Sequence, residues 1–123
     1  MCPFCSLEAE RVWLSSFSAL AAFDGFPVTS GHTLVIPKQH LTSVFDLSPY
    51  EQQEIWSFVS QVRSELKNRF GVAAFNIGIN DGNLAGQTVL HAHIHVIPRR
   101  DGDVDDPRGG IRWVIPSKAK YWK

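Results

Sequence analysis

The chain contains no run of roughly 20 apolar residues, the length a membrane-crossing helix needs. It also has no excess of either charge, since 12 Lys and Arg balance 12 Asp and Glu over 123 residues. Binding of duplex nucleic acid is therefore not expected, because that requires a dense basic surface. A small anionic ligand stays open, as a few local donors can hold one. The N-terminal Met1-Cys2-Pro3-Phe4-Cys5 has neither the basic flank nor the apolar stretch of a signal peptide, so a cytoplasmic, reducing setting is expected. Cysteine is scarce, with two residues. In that setting their Cys-x-x-Cys spacing points to metal binding or redox chemistry more than to a structural disulfide. What remains is an ordinary globular composition, 44% hydrophobic with nine Gly and seven Pro, which suits one domain over residues 1–123 with its own core.

Residues 12–23 alternate in two short runs around Ser15-Ser16, predicting a strand, a turn and a second strand. A breaker-rich loop follows, then a β-rich run over 32–37 closed by Pro37. Ser48, Pro49 and Glu51 form the signature of a capped helix start, and Ile55, Phe58, Val59, Val62 and Leu66 then share one face. Gly71 can end that helix in a left-handed conformation. Residues 72–79, 90–98 and 111–115 read as further strands, with a polar, mobile surface segment over 99–110. This order argues for an α+β domain with a largely antiparallel sheet.

All five histidines fall in two short stretches: His32 and His40, then His91, His93 and His95. On a strand the last three share one face, opposite Ala92, Ile94 and Val96. Geometry argues against a single metal held by all three. Same-face neighbours lie ~6.6 Å apart and the outer pair ~13 Å apart, whereas zinc–nitrogen bonds are ~2 Å. The three imidazoles must therefore divide their tasks. The loop 80–89 that precedes them carries Gly and side-chain donors able to hold phosphate oxygens, beside which a neutral imidazole can attack phosphorus.

His91-Ala92-His93-Ile94-His95-Val96-Ile97 matches, at every position, the pattern His-apolar-His-apolar-His-apolar-apolar. With 86–89 and 31–38 it resembles the histidine triad (HIT) superfamily of nucleotidyl hydrolases and transferases, over about residues 2–100. The resemblance implies a mainly antiparallel five-stranded sheet with one long amphipathic helix, paired into a homodimer, and a nucleotide substrate with no organic cofactor. It implies His93 as a nucleophile that attacks the α-phosphate and becomes nucleotidylated. By the same resemblance His95 stabilises charge on the phosphate and His32 supports the site. Asp24 falls where family members bind ribose, its other reading being a turn aspartate before Gly25. Asn80 matches an amide at the α-phosphate or leaving group. Gln87 and Thr88 match the phosphate-binding segment, or else stabilise their loop through side-chain-to-backbone bonds. Phe4, Phe23 and Phe26 line either a base pocket or the core.

One branch of the superfamily binds structural zinc through residues that match Cys2, Cys5, His40 and His91. Two thiolates and two imidazoles suit a closed tetrahedral site; a redox dithiol is the rival reading. The sequence departs from the uridylyltransferase branch by having His95 in place of Gln, which favours hydrolysis over transfer to a sugar phosphate. Residues 109–116 replace the C-terminal ends of the best-studied branches, which help select the leaving group. Arg99, Arg100, Arg108 and Arg112 either hold extra phosphates or pair with Asp101, Asp103, Asp105 and Asp106. The expected activity is cleavage of a dinucleoside polyphosphate or related nucleotide at the α-phosphate, releasing a nucleoside monophosphate by hydrolysis or phosphorolysis. The alternatives are hydrolysis of a nucleoside phosphoramidate or aminoacyl-adenylate, and a nucleotide sensor without turnover.

Overall fold

The computed structural model describes residues 2–123. Among them, five strands form one antiparallel sheet: β1 (Val12–Ser15), β2 (Ala19–Phe23), β3 (Thr33–Pro37), β4 (Ala74–Gly78) and β5 (Ile94–Arg99). Their order across the sheet is β1-β2-β3-β5-β4. The helix α1 (Pro49–Phe70) connects β3 to β4.

Both ends of α1 follow from local chemistry. The Glu51 N–H donates to the Ser48 hydroxyl at 3.2 Å, and the Ser48 N–H donates to the Glu51 carboxylate at 2.9 Å. These two bonds satisfy N–H groups that a helix start otherwise leaves without partners. The helix stops at Gly71, whose φ of 65° would strain any side chain. Between these ends, Ile55, Phe58, Val59, Val62 and Leu66 are buried and pack with Ala19, Ala21, Val35, Ile94 and Val96 of the sheet. A stripe of period 3.6 thus meets alternate strand residues. Each such side chain contributes ~1.5–3 kcal/mol of burial, so the core fixes the sheet behind whatever stands on the opposite side. Among the described residues, no helix is long and apolar enough to cross a membrane.

Two segments differ from their sequence expectation. Residues 111–115 are not a strand: a 3-10 turn spans Gly110–Val114, followed by a short helix α2 (Pro116–Ala119). Gly109 and Gly110 enter it at φ of 94° and 46°, which tightens the chain. The Arg112 side chain then donates to the carbonyls of Ala119 and Lys118 at 2.9 and 2.7 Å, a compact fold-back that leaves no extended segment to pair. The second difference is that regular pairing in β5 begins at Ile94 instead of residue 90. The β3 partner of the preceding residues ends at Pro37, which has no N–H to donate. Residues 91–93 are instead tied down by an Ala92 N–H to Leu41 carbonyl bond of 2.7 Å and by the His91 ring.

Candidate active site and metal centre

Ala92, Ile94 and Val96 point into the core beneath α1, so His91, His93 and His95 stand on the opposite face. Each imidazole finds a different set of partners there, and the partners decide which ring nitrogen keeps its proton.

His95 is placed by register, opposite Leu34 on β3 and Gly78 on β4. His32, two residues before Leu34, lies against it. The Val28 N–H donates to His32 Nδ1 at 3.1 Å, so the His32 proton sits on Nε2. That Nε2–H donates to His95 Nδ1 at 2.9 Å, and an Asp24 carboxylate oxygen lies 3.4 Å from the same nitrogen. His95 accepts on Nδ1 and therefore carries its own proton on Nε2, free to meet a ligand. Burial pushes the His95 pKa down to about 4, and the neighbouring His93 and His32 push the same way against Asp24. Burial lowers His32 as well, again opposed by Asp24. Both rings are neutral donors near pH 7.

His93 is set differently. Its Nδ1–H donates to the His91 carbonyl at 2.8 Å, which leaves the lone pair on Nε2. The Phe4 ring meets this imidazole edge to face, with centroids 4.9 Å apart. His93 and His95 rings are 5.2 Å apart, so a lone pair and an N–H donor stand side by side.

The loop before the triad is stitched from within. The Gln87 amide donates to the carbonyls of Thr42 and Val89 at 2.8 and 3.0 Å and accepts from the Gly82 N–H at 2.9 Å. Its side chain is buried and committed to the backbone. Thr88 is exposed on the same loop. Asn80, His32 and His95 line a cleft of about 650 Å³ that runs past Ile97 towards Ile111 and Trp113. Asp24 serves the turn as well as His32, because its other oxygen accepts from the Phe26 N–H at 2.9 Å. Phe23 stacks on Trp13 at 5.6 Å and packs with the core, whereas Phe26 is exposed. Of the arginines, Arg99 is forked onto Asp103 with both contacts at 2.8 Å, and Arg108 pairs with Asp106. The pairing reading holds for those two.

His91 turns the other way. Its Nε2–H donates to the Pro37 carbonyl at 2.8 Å, so its Nδ1 presents a lone pair. Around that lone pair stand Cys2 Sγ at 3.4 Å, Cys5 Sγ at 3.6 Å and His40 Nδ1 at 3.2 Å, with Cys5 Sγ 3.1 Å from His40 Nδ1. The edges of a tetrahedron of nitrogen and sulfur ligands around zinc are about 3.3–3.8 Å, so the four atoms stand close to where such an ion needs them. Two facing imidazole nitrogens can share at most one proton. The neighbouring Cys2 raises the Cys5 thiol above its ordinary pKa, and a cation between them would reverse that cost. The four residues form a candidate metal site. The carbonyl of Pro37 supplies the outer hydrogen bond that fixes a ligating imidazole.

The structure thus brings His32, His95 and Asp24 together with His93 packed against His95, sets Asn80 on the cleft that His32 and His95 line, and gathers Cys2, Cys5, His40 and His91 at another site. Four partners were not found from the sequence: the Val28 N–H, the His91 carbonyl, the Pro37 carbonyl and Gly78 opposite His95. The first three are main-chain groups, which no residue type signals.

The HIT domain family matches residues 9–102, and the chain belongs to that family. A Schizosaccharomyces pombe protein named bis(5'-nucleosyl)-tetraphosphatase [asymmetrical] is 41% identical over 80 residues, covering 65% of this chain and 44% of that protein. A Caenorhabditis elegans nitrilase and fragile histidine triad fusion protein is 35% identical over 82% of this chain and 23% of its own length, so the chain spans less than half of either relative. A Dictyostelium discoideum bis(5'-adenosyl)-triphosphatase is 39% identical over 81% of this chain and 67% of its own. A zinc-bound histidine triad family protein from Mycobacterium smegmatis superposes with a TM-score of 0.71 at 38% identity, covering 83% of this chain and 77% of that one.

Proposed function

We propose that the protein hydrolyses a dinucleoside polyphosphate or related nucleotide at the α-phosphate through a nucleotidyl-His93 intermediate. The observation that carries this reading is the 2.8 Å bond from His93 Nδ1–H to the His91 carbonyl. It leaves the Nε2 lone pair as the nucleophile, 5.2 Å ring to ring from a His95 with an Nε2 proton to give. The names of the S. pombe and D. discoideum relatives support the substrate class.

In the first step His93 Nε2 attacks the α-phosphorus. A nitrogen–phosphorus bond forms, the bond to the leaving oxygen breaks, and the leaving group departs with the electron pair. The imidazole gains positive charge in this step, and the His91 carbonyl lies against the Nδ1–H where that charge is shared. His95 Nε2–H stabilises the oxygen charge that develops, with Nδ1 fixed by His32. Water then attacks phosphorus and gives up a proton to solvent, the nitrogen–phosphorus bond breaks with its electron pair returning to Nε2, and nucleoside monophosphate leaves with the neutral imidazole restored. Asn80 lies on the cleft wall beside His95, where it contacts the phosphate or the leaving group. Asp24 reaches the ribose with the oxygen that faces His32. Gln87 acts indirectly by shaping the loop, and Thr88 offers its hydroxyl from the exposed side. A zinc ion held by Cys2, Cys5, His40 and His91 would be structural: all four positions are filled by protein, so none is open to substrate. The protein works as a homodimer under this reading, which light scattering would check.

The test is nucleoside monophosphate release from diadenosine tri- and tetraphosphate, an adenosine phosphoramidate and ATP. Wild type should turn over one class, and His93→Ala should lose about 10³-fold or more in kcat while still binding nucleotide. Binding without turnover in the wild type would replace the hydrolase reading with a sensor.

A further inference from the structure

We propose that Phe4 is a positioning residue for His93, and that metal bound by Cys2, Cys5, His40 and His91 sets the orientation of that nucleophile. The inference rests on the reading of His93 given above. Phe4 lies inside the Cys2–Cys5 turn, which is closed by the Cys5 N–H donating to the Cys2 carbonyl at 3.2 Å. Its ring packs edge to face on His93 at 4.9 Å and on His91 at 6.1 Å. The turn lies outside every strand and helix, and its two thiols tie it to His40 and His91.

His91 links the same cluster to His93 a second time. Its ring joins the candidate metal site through Nδ1 and the Pro37 carbonyl through Nε2, while its backbone carbonyl accepts the His93 Nδ1–H. The His93 imidazole is thus fixed by a ring on one side and a carbonyl on its Nδ1 edge, and both supports belong to the segments that the cluster joins. An imidazole released from either support can rotate about χ2 or exchange tautomers, and each change removes the Nε2 lone pair from the phosphorus. Bound metal would draw the Cys2–Cys5 turn and His91, two residues before the nucleophile, onto one point. The sequence pattern then has a reason beyond stability, since the apolar ring between the two cysteines lies against the reacting group.

The experiment records imidazole nitrogen resonances of His93 in full-length protein with zinc bound, after chelation, and in zinc-bound Phe4→Ala and Phe4→Tyr. Zinc-bound wild type should show a single tautomer protonated on Nδ1. Chelation and Phe4→Ala should each move the His93 signals towards a tautomer-averaged pattern, while Phe4→Tyr, which keeps the ring edge, should restore the single tautomer. Kinetics on the same proteins should show kcat reduced about tenfold in Phe4→Ala with KM nearly unchanged. His93 signals that stay put on both chelation and Phe4→Ala overturn the proposal whatever the rates. A rise in KM with unchanged kcat also overturns it, because the ring would then be a wall for substrate. If Phe4→Ala fails to fold, the chelated wild type decides through the same resonances. An active His93→Ala would break the nucleophile reading, whereas an inactive His93→Ala together with His93 signals that stay put in chelated wild type and in Phe4→Ala would break this inference alone.

Discussion

The two clusters at either end of residues 91–95 use the same side chain for opposite purposes. At one end the bare Nδ1 of His91 faces His40 Nδ1 at 3.2 Å beside two thiols. At the other, His32 and His95 face each other at 2.9 Å through a shared proton. The difference lies in the far nitrogen of each ring. Where a carbonyl takes that proton, as Pro37 does from His91, the near nitrogen is a lone pair suited to a cation. Where a backbone N–H occupies it, as Val28 does on His32, the near nitrogen becomes a donor. Imidazole chemistry here is set by main-chain partners one atom beyond the apparent site.

Removing a ligand from the first cluster should have the largest effect. Cys5→Ser or His91→Ala should lower zinc from about one ion per chain to near zero by elemental analysis, and chelation should then no longer shift Tm as it does in wild type. Gln87→Ala comes next, because it removes a buried side chain that is the partner of two carbonyls and an N–H. A loss of ~1–3 kcal/mol in denaturant unfolding is expected, with the clusters themselves untouched. Asp24→Asn sharpens the second cluster. Its amide oxygen can still accept from Phe26, but the charge that favours protonated His95 is gone. With a folded pKa near 4 against 6.5 for the free side chain, the unfolded chain takes up this proton first. The His95 contribution to stability is therefore fully present above about pH 6.5 and is lost as pH falls towards 4. In Asp24→Asn the folded value drops further, so the acid limb of activity should move to lower pH; a limb that rises or stays would contradict the assigned proton order. Ser48→Ala should matter least. It should cost ~1 kcal/mol through the helix cap and leave the pH profile and metal content unchanged.

How much of this was legible follows from what each feature depends on. The α1 boundaries rest on Ser48, Glu51 and Gly71, whose effects are local and readable from spacing. The strand pair at 12–23 and the division of the triad from Ala92, Ile94 and Val96 rest on a period of two. The strand assigned to 111–115 failed because an extended stretch needs a partner edge, and Gly109, Gly110 and the reach of Arg112 fold it on itself first. Gln87 matched a phosphate-binding segment, yet its amide is spent on Thr42, Val89 and Gly82. Thr42 is 45 residues away in the chain, so no local pattern could announce that bond. The pairing of Arg99 with Asp103 was one of two open readings, and only the turn after β5 chose between them.

By itself the amino-acid sequence determined where the helix begins and ends, which residues of each strand face the core, and that three histidines on one face must divide their work. Those outcomes depend on short-range sterics, capping and hydrophobic period, all of which travel with the local chain. The tertiary structure decided which nitrogen of each histidine holds a proton. It also decided that Cys2 and Cys5 meet His40 and His91, and that Phe4 rests on His93. These depend on carbonyls, N–H groups and a ring brought together from distant positions, and a hydrogen bond exists only once the donor, the acceptor and the angle between them are in place.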